Sequence, residues 1–588
     1  MDIISKKDPM TILRFLKKSH WLLIGVMAVF ISLQVWADLE IPGYMSKITV
    51  LLNDGSDAEA IFNEGLWMIL FSIGSVFCSI AAGGIAAYVA AEFAKILRRE
   101  QFTKVQSFSP EEMSRFNIYS LITRSTNDVT QVQLAVARTS QLIVKVPVMV
   151  YIALTKVATG SIEWTEVTAI GITAIVIVQI FMLSYVIPRY RRVQKYTDGM
   201  NRTTREGLTG ARVIRAFNAE DYQNAKADTA NDELTNNNLY AQRLLAFTRP
   251  FNGVVQNMLT VAIYVLGAEI IIAAASPDDA LETFSNMVVF SSYIMYVVSS
   301  FILLAHVAMG LPRAIVSAHR ISEVIDTDIR VIGGELTESK DDDVCISFRD
   351  VSFAYPDSPG DTLTGITFDV HRGETVAIIG QTGCGKTSLV NLIPRLFDAT
   401  SGTVTVDGID VKDYDLDYLR SKIGYATQKP ILFSGTARFN IGYGSEGADD
   451  ERMMDAAMVA CMDQFLQSKE GLDTDIQQRG ANLSGGQKQR LSIARAVCKN
   501  PEIYIFDDTF SALDFKTDAQ IRRNLRERTK DSTAIIVSQR IGTIYDADRI
   551  IVLADGAIVG NGKHDDLMKS CEIYREMAKI QEFGEAVR

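Results

Sequence analysis

The run Gly380-Gln-Thr-Gly-Cys-Gly-Lys-Thr-Ser388 carries the most specific chemistry in the chain. It follows directly on the apolar, β-branched stretch Thr375-Val-Ala-Ile-Ile, which reads as a buried strand, and it opens a predicted helix. A strand before and a helix after are the context in which this glycine–lysine spacing cradles phosphate. Gly380, Gly383 and Gly385 let the backbone turn its N–H groups onto phosphate oxygens, helped by the N-terminus of the following helix. Lys386 is expected to reach the β- and γ-phosphates and Thr387 to ligate Mg²⁺. Gln381, Thr382, Cys384 and Ser388 complete the expected cradle. The predicted ligands are therefore ATP and Mg²⁺.

A second element is Ile503-Tyr-Ile-Phe-Asp507, an apolar strand ending in an acid that can support the magnesium shell. Such a strand is common alone and becomes specific beside the phosphate loop. Between the two lies Leu483-Ser-Gly-Gly-Gln487, followed by Lys-Gln-Arg on a predicted helix. This combination resembles the signature motif of ABC transporters, and the resemblance extends over nearly the whole chain. Phe116 to Val129, with Arg124, Asn127 and Asp128, resembles the first cytosolic coupling segment of ABC exporters. Glu206 to Glu220, with Gly210, Ile214, Ala216 and Phe217, resembles the second.

The resemblance implies further roles. Tyr355 in Val-Ser-Phe-Ala-Tyr-Pro should stack on adenine, and Gln428 in Ala-Thr-Gln-Lys-Pro should sense Mg²⁺ and face the coupling segments. Ser484 and Gly486 should contact the γ-phosphate held by an opposing subunit, with Asp514 bridging that interface.

Two positions depart from the family pattern. Asp508 stands where an active site carries the Glu that activates water. Its side chain is one methylene shorter, which leaves the carboxylate roughly an ångström short, and a misplacement of that order costs ~100-fold in rate. Gln539 stands where the family has a His before Arg540. An amide can hydrogen-bond to a γ-phosphate but cannot become an imidazolium that stabilises developing charge. ATP is thus expected to bind well and hydrolyse poorly, while the intact signature serves a partner. This pairing resembles the degenerate-site subunit of heterodimeric bacterial ABC multidrug exporters, whose partner brings the Glu and the His. A sluggish homodimer is the alternative. A third departure, Gln478 where many exporters carry Glu, has no assigned consequence.

The rest of the chain must position this chemistry. Its 588 residues exceed one hydrophobic core, and 48% are hydrophobic. Mean hydropathy is +0.11. The net charge of −11 argues against nucleic acid as a partner. Six scattered cysteines show neither disulfide nor metal spacing and are expected to be reduced. No removable signal peptide is expected, because the first apolar run is too long and lacks a small-residue cleavage site.

Membrane crossings need ~20 apolar residues. Six such runs occur, starting at Trp21 and then near 61–97, 133–159, 163–187, 252–275 and 281–311. Lys6, Lys7, Lys17 and Lys18 place the N-terminus in the cytosol, after which an even number of crossings returns the chain to it. The amphipathic stretch at about 9–20 suits the membrane interface. Outer connections are short, near 53–57, 159–161 and 276–279, whereas the inner segments near 98–130 and 188–250 read as helical extensions into the cytosol. Asp38, Glu40, Lys145, Glu269 and His306 fall inside apolar runs, where ionisable groups face a bundle interior or an aqueous cavity. Lys145 and Glu269 are the candidate substrate-lining residues.

The expected architecture is an α-helical six-helix transmembrane domain with long cytosolic extensions, followed by an α/β P-loop ABC nucleotide-binding domain. Boundaries are expected at 1–325 for the membrane domain, 326–340 for a linker and 341–588 for the ATP-binding domain, with coupling segments near 116–122 and 210–222. Expected partners are a second half-transporter, membrane lipid and a hydrophobic or amphipathic substrate. Rival readings are an ATP-gated channel or regulator, a lipid or peptide exporter, and an importer subunit. A fused protease domain is not expected ahead of the interface helix.

Overall fold

The computed structural model describes residues 9–53, 57–158, 162–273, 276–340, 343–356 and 358–586. It divides into two compact units, one of residues 1–106 and 118–327, the other of 107–117 and 328–588.

The first unit is helical. A 3₁₀ turn at Pro9–Phe15 precedes α1 (Lys18–Asn53) and α2 (Ala58–Gln106). Two short helices follow, α3 (Pro110–Arg115) and α4 (Ile118–Thr123), then a π turn at Arg124–Asp128 that feeds α5 (Val129–Ala158). Next come α6 (Ile162–Thr209), the short α7 (Ala211–Ala216), α8 (Glu220–Ala273) and α9 (Pro277–Ile325). Among the described residues, five spans are long and apolar enough to cross a membrane, in α1, α2, α4–α5, α8 and α9. In α6 the apolar stretch is the shorter Ala169–Val178.

Apolar residues on these helices divide between two surroundings. Met27, Ile31, Val35 and Leu39 of α1 pack against Met149 and Ala153 of α5 and Phe290 and Ile294 of α9. Leu22, Phe62, Ile80 and Ile143 face outward instead, 64–73% exposed, the apolar exterior that lipid requires. At the other end Ile12 packs with Phe93, Leu97, Val129 and Ile321, and Arg14 pairs with Asp326 at 2.5 Å.

The inner connections are helical extensions closed by short turns, as expected. α2 runs on to Gln106, the short α3 occupies the turn, and the helix that resumes at Ile118 continues without a gap through the π turn into α5. At the second connection α6 and α8 meet through α7, with Asn218 at φ 51° making the turn. Of the ionisable residues, Asp38 accepts a hydrogen bond from Ser75, and Glu40 pairs with Lys156 at 2.7 Å. Lys145 is half-buried and Glu269 is exposed. The His306 side chain, Lys6, Lys7 and the loop residues 54–56 and 159–161 lie outside the described residues.

The second unit is α/β. Strands β1 (Val344–Phe353), β2 (Leu363–His371), β3 (Thr375–Ile379), β4 (Ser401–Val406), β5 (Ile409–Asp410) and β6 (Ile423–Ala426) precede a small β7–β8 pair (Gly435–Thr436 and Asp475–Ile476). Then come β9 (Ile503–Asp507), β10 (Thr533–Ser538), β11 (Arg549–Ala554) and β12 (Ala557–Gly562). One sheet has the order β2-β1-β4-β5 and another β12-β11-β3-β10-β9-β6. In the larger sheet β3, β6, β9, β10 and β11 run parallel, which explains why they read as continuous apolar runs with both faces covered.

Register is what builds the site. Ser538 pairs with Ile379, Val537 with Asp507, and Ala426 with Phe506. The carboxyl ends of β3, β6, β9 and β10 therefore open side by side, at the edge where parallel sheets bind ligands.

Candidate functional site

The loop leaving β3 turns back into the short helix α10 (Lys386–Asn391) through two left-handed glycines, Gly383 at φ 90° and Gly385 at φ 99°. A Cβ on Gly380 would stand 2.1 Å from the Leu553 carbonyl oxygen, so only glycine lets the loop start there. Lys386 is buried, and its ammonium donates to the carbonyls of Gly380 at 2.7 Å and Gln381 at 2.8 Å. The loop is thus closed around its own lysine, next to the buried Cys384 sulfur at 3.8 Å.

Neighbouring strand ends deliver the remaining groups. The Thr387 hydroxyl donates to Asp507 Oδ1 at 3.1 Å. The Gln428 amide, two residues past β6, donates to Asp508 Oδ2 at 3.3 Å. Thr382 Oγ1 donates to Gln539 Oε1 at 3.3 Å. Six of the expected site residues are thereby joined in three hydrogen-bonded pairs, beside the loop closed by Lys386.

Asp507 is 1% exposed, and burial pushes its carboxyl up to about 6 despite the Thr387 hydrogen bond, with the Asp508 charge adding to the rise. A buried carboxylate beside a hydroxyl, with an amide two contacts away, offers oxygen donors for a hard cation. It fits Mg²⁺, which takes one or two carboxylates and completes its shell with phosphate and water. Thr387 and Asp507 are the residues that would hold it, with Gln428 close by. Bound there, the ion supplies charge neutralisation for β- and γ-phosphate oxygens.

The Asp508 backbone is pinned. Its φ is 49°, its N–H donates to Val537 O at 2.9 Å, and the Ser511 hydroxyl donates to its carbonyl at 2.9 Å. With the backbone fixed, side-chain length sets how far the carboxylate reaches.

Tyr355 is half-buried, edge-on to Phe353 and Phe397, with its hydroxyl 2.9 Å from Ser388 Oγ. Ser484 and Gly486 make no hydrogen bond to the phosphate loop among the described residues. Ser484 caps the helix Gly485–Lys499 in a reciprocal box, donated to by Gln487 N at 3.3 Å while its own N–H reaches Gln487 Oε1 at 2.9 Å. Gly486 backs onto the Ala512 carbonyl, 3.3 Å from where a Cβ would sit.

Three contributors escaped the sequence reading. Gln581, on a C-terminal helix, donates to the Gln539 carbonyl at 2.7 Å and accepts from Ile541 N at 2.8 Å, fixing the backbone from Gln539 to Ile541. Buried Gln489 accepts from Ala512 N at 3.1 Å, and Arg540 donates to the Ser511 carbonyl at 2.8 Å. All three act on backbone atoms, which no side-chain pattern in the sequence announces.

Two family models match the chain, ABC transporter transmembrane region over residues 23–301 and ABC transporter over 363–511. An uncharacterized ABC transporter ATP-binding protein of Mycobacterium tuberculosis is 35% identical over 574 residues, covering 96% of this chain and 97% of the relative. The chain belongs to the ABC transporter family. This ABC transporter is also 32% identical to the uncharacterized ABC transporter ATP-binding protein YfiB of Bacillus subtilis, across 96% of this chain and 97% of that one. An ATP-dependent lipid A-core flippase of Syntrophus aciditrophicus is 30% identical, with 86% of this chain and 83% of the flippase covered. Among solved structures, a bacterial Atm1-family ABC exporter with ATP bound shares the fold, at TM-score 0.78 and 23% identity over 96% of this chain and 99% of that one. Membership makes this chain a multi-pass membrane ABC ATPase in which one polypeptide carries a transmembrane region and an ATP-binding domain.

Proposed function

We propose that this chain is one subunit of a heterodimeric exporter, binding ATP at a hydrolysis-impaired site and lending its signature to an unlike partner. The observation that carries the reading is the pair at positions 508 and 539. The magnesium and phosphate groups are complete, while the two residues that should drive cleavage are a short carboxylate and an amide. The pinned backbone at Asp508 supports it, because the missing methylene is not made up by a shift of the chain. The intact capping box at Ser484 supports the second half, since it holds the signature serine's helix in register for a ligand supplied from outside.

In this reading residues 1–325 form the membrane domain with six crossings and cytosolic termini, 326–340 the linker and 341–588 the ATP-binding domain. Exposed Tyr119 and Ile122 of the first coupling segment, with Phe217 and Tyr222 at the second, are the apolar surfaces through which closure of the nucleotide-binding domains is relayed. Tyr355 stacks on adenine, and Asp514 lies at the interface with the partner. The cargo class is amphipathic, a drug or lipid, as suits broad apolar helices with few polar groups and a relative named as a lipid flippase.

The test uses the purified chain in lipid nanodiscs, with MgATP binding and steady-state hydrolysis measured on one sample. Tight binding with hydrolysis ~100-fold below that of a partner-containing complex is expected. Hydrolysis by the chain alone at the rate of the complex removes the heterodimer.

A further inference from the structure

The helix pair α6 and α8 carries a basic patch that the nucleotide site does not use. The two helices pack on each other, and two contacts fix an antiparallel register. The Arg189 guanidinium lies 4.6 Å over the Tyr240 ring, and the Leu259 side chain occupies the space beside Gly171 where a Cβ would stand. Arg243 is therefore level with the residues just before Arg189, and Phe247 with the neighbourhood of Phe181.

Each helix exposes a stripe of the same make-up. On α6, Phe181 and Tyr185 are exposed with their rings 4.7 Å apart, and exposed Arg192 and Lys195 continue that face farther from the apolar stretch. On α8, exposed Phe247 stands nearer the apolar span that begins at Pro250, and exposed Arg243 and Tyr240 stand one and two turns farther away. At 1.5 Å per residue Arg243 lies ~10 Å before Pro250. The rings thus sit at the hydrocarbon edge and the cations at headgroup depth, the order in which interfacial anchors and lipid phosphates are layered.

Other cations of the inner helical segments have acids beside them: Lys95 with Glu92 at 3.2 Å, Arg124 with Glu323 at 2.7 Å, Lys226 with Glu206 at 2.7 Å. At the α6–α8 boundary the acids are missing. The sequence has no Asp or Glu between Glu166 and Asp198 or between Glu233 and Glu269, while Arg189, Arg191, Arg192 and Lys195 fall within seven residues. Among the described residues Arg192, Lys195 and Arg243 have no ion-pair partner. An excess of Lys and Arg on the inner side is all that topology requires. It requires neither the removal of acids, nor an arginine laid on a ring, nor cations from two helices brought to one level beside exposed aromatics.

We propose that this face of α6 and α8 binds the headgroup of an acidic phospholipid of the cytosolic leaflet. Arg192, Lys195 and Arg243 supply the charge that attracts the anionic headgroup. Arg189, half-buried and pre-set by stacking on Tyr240, offers a guanidinium fork that matches phosphate oxygens. Phe181, Tyr185 and Phe247 pack against the glycerol and the first methylenes of the acyl chains. A free phosphate ion would use the cations and leave these rings without a role. The cytosolic side follows from the topology read above, and the site is independent of the cargo and of whether the partner is a like or an unlike chain.

The test uses the purified full-length protein in a neutral detergent, titrated with phosphatidylglycerol or with phosphatidylcholine, with bound lipids counted by native mass spectrometry. The first phosphatidylglycerol should bind at least ~10-fold more tightly than phosphatidylcholine, and Arg192→Gln/Arg243→Gln should abolish that preference. Arg202→Gln/Arg205→Gln removes the same charge from α6 about 15 Å farther from the membrane and should leave the preference intact. MgATP binding measured on each variant verifies the fold, since none of these exposed side chains belongs to the nucleotide site. Millimolar inorganic phosphate should not displace the lipid. Equal affinity for the two lipids, a preference that survives Arg192→Gln/Arg243→Gln, equal loss from the distant pair, or displacement by phosphate each overturns the proposal.

Discussion

The Gln428 amide donates to Asp508 across 3.3 Å, linking the loop after one strand of the larger sheet to the residue just beyond another. The residue proposed to sense the metal thereby also holds the carboxylate at the position proposed to activate water. Gln428→Leu frees Asp508 and removes a polar ligand from the magnesium side. The expected result is about 10-fold weaker MgATP binding, the equivalent of one hydrogen bond to a charged group. ATP without magnesium should bind as before, which isothermal titration in the presence and absence of EDTA distinguishes.

Lys386 already points its ammonium at the carbonyls of Gly380 and Gln381, inside the loop where phosphate must lie. Lys386→Ala should cost two charge-assisted contacts and weaken ATP binding at least ~100-fold. Thr387→Ala should instead weaken only the magnesium-dependent part, because its hydroxyl faces Asp507. Fluorescent-nucleotide titrations on the two variants separate the effects.

Gly385 sits at φ 99°, and a Cβ there would meet the Leu363 side chain at 2.7 Å and the Thr362 carbonyl at 2.9 Å. Gly385→Ala should destabilise the ATP-binding domain by about 1–3 kcal/mol. In thermal melts the variant should also lose the upward shift that saturating ATP gives the parent protein.

Burial raises Asp507 to about 6, above the ordinary carboxylate range near 4. Between these values the folded protein binds a proton that the unfolded chain releases, so stability contributed by this group is greatest at low pH and is lost as pH rises through about 6. Mg²⁺ must displace that proton. MgATP binding should therefore weaken as pH falls through about 6 and should release protons near that pH. Calorimetry in two buffers of different ionisation enthalpy measures the release, and Asp507→Asn should abolish it.

Much of the site was legible because its chemistry is local in sequence. The phosphate loop is one run of residues whose glycines have positive φ for a stated steric reason, and Asp507 ends a strand whose burial its apolar residues announce. The departures at 508 and 539 were visible as residue types. Their environment was not, since the pinned backbone of Asp508 depends on Val537, and Gln539 is held by Gln581, both distant in sequence. In the membrane half, hydropathy located the helices but not the polar pairs between them. Asp38 with Ser75 and Glu40 with Lys156 depend on which helices are neighbours. In the connection after α2 the helical extensions were legible, but the place where the chain turns was not. Its polar composition suits a helix or a turn alike, and the choice is made by the Ser109–Glu112 box and the π turn, which tie it to residues roughly 200 positions away.

The proposed impairment can be probed by restoring the family's residues. Asp508→Glu with Gln539→His supplies the longer carboxylate and the titratable ring while leaving the phosphate loop, Asp507 and Gln428 themselves unchanged. The measurement is steady-state ATP hydrolysis by the assembled transporter carrying the double replacement, with nucleotide occupancy recorded on the same sample. Turnover at this site should rise at least ~10-fold over the parent, in line with the ~100-fold penalty expected from the misplaced carboxylate alone. Unchanged turnover in a folded, ATP-loaded double variant would contradict the account.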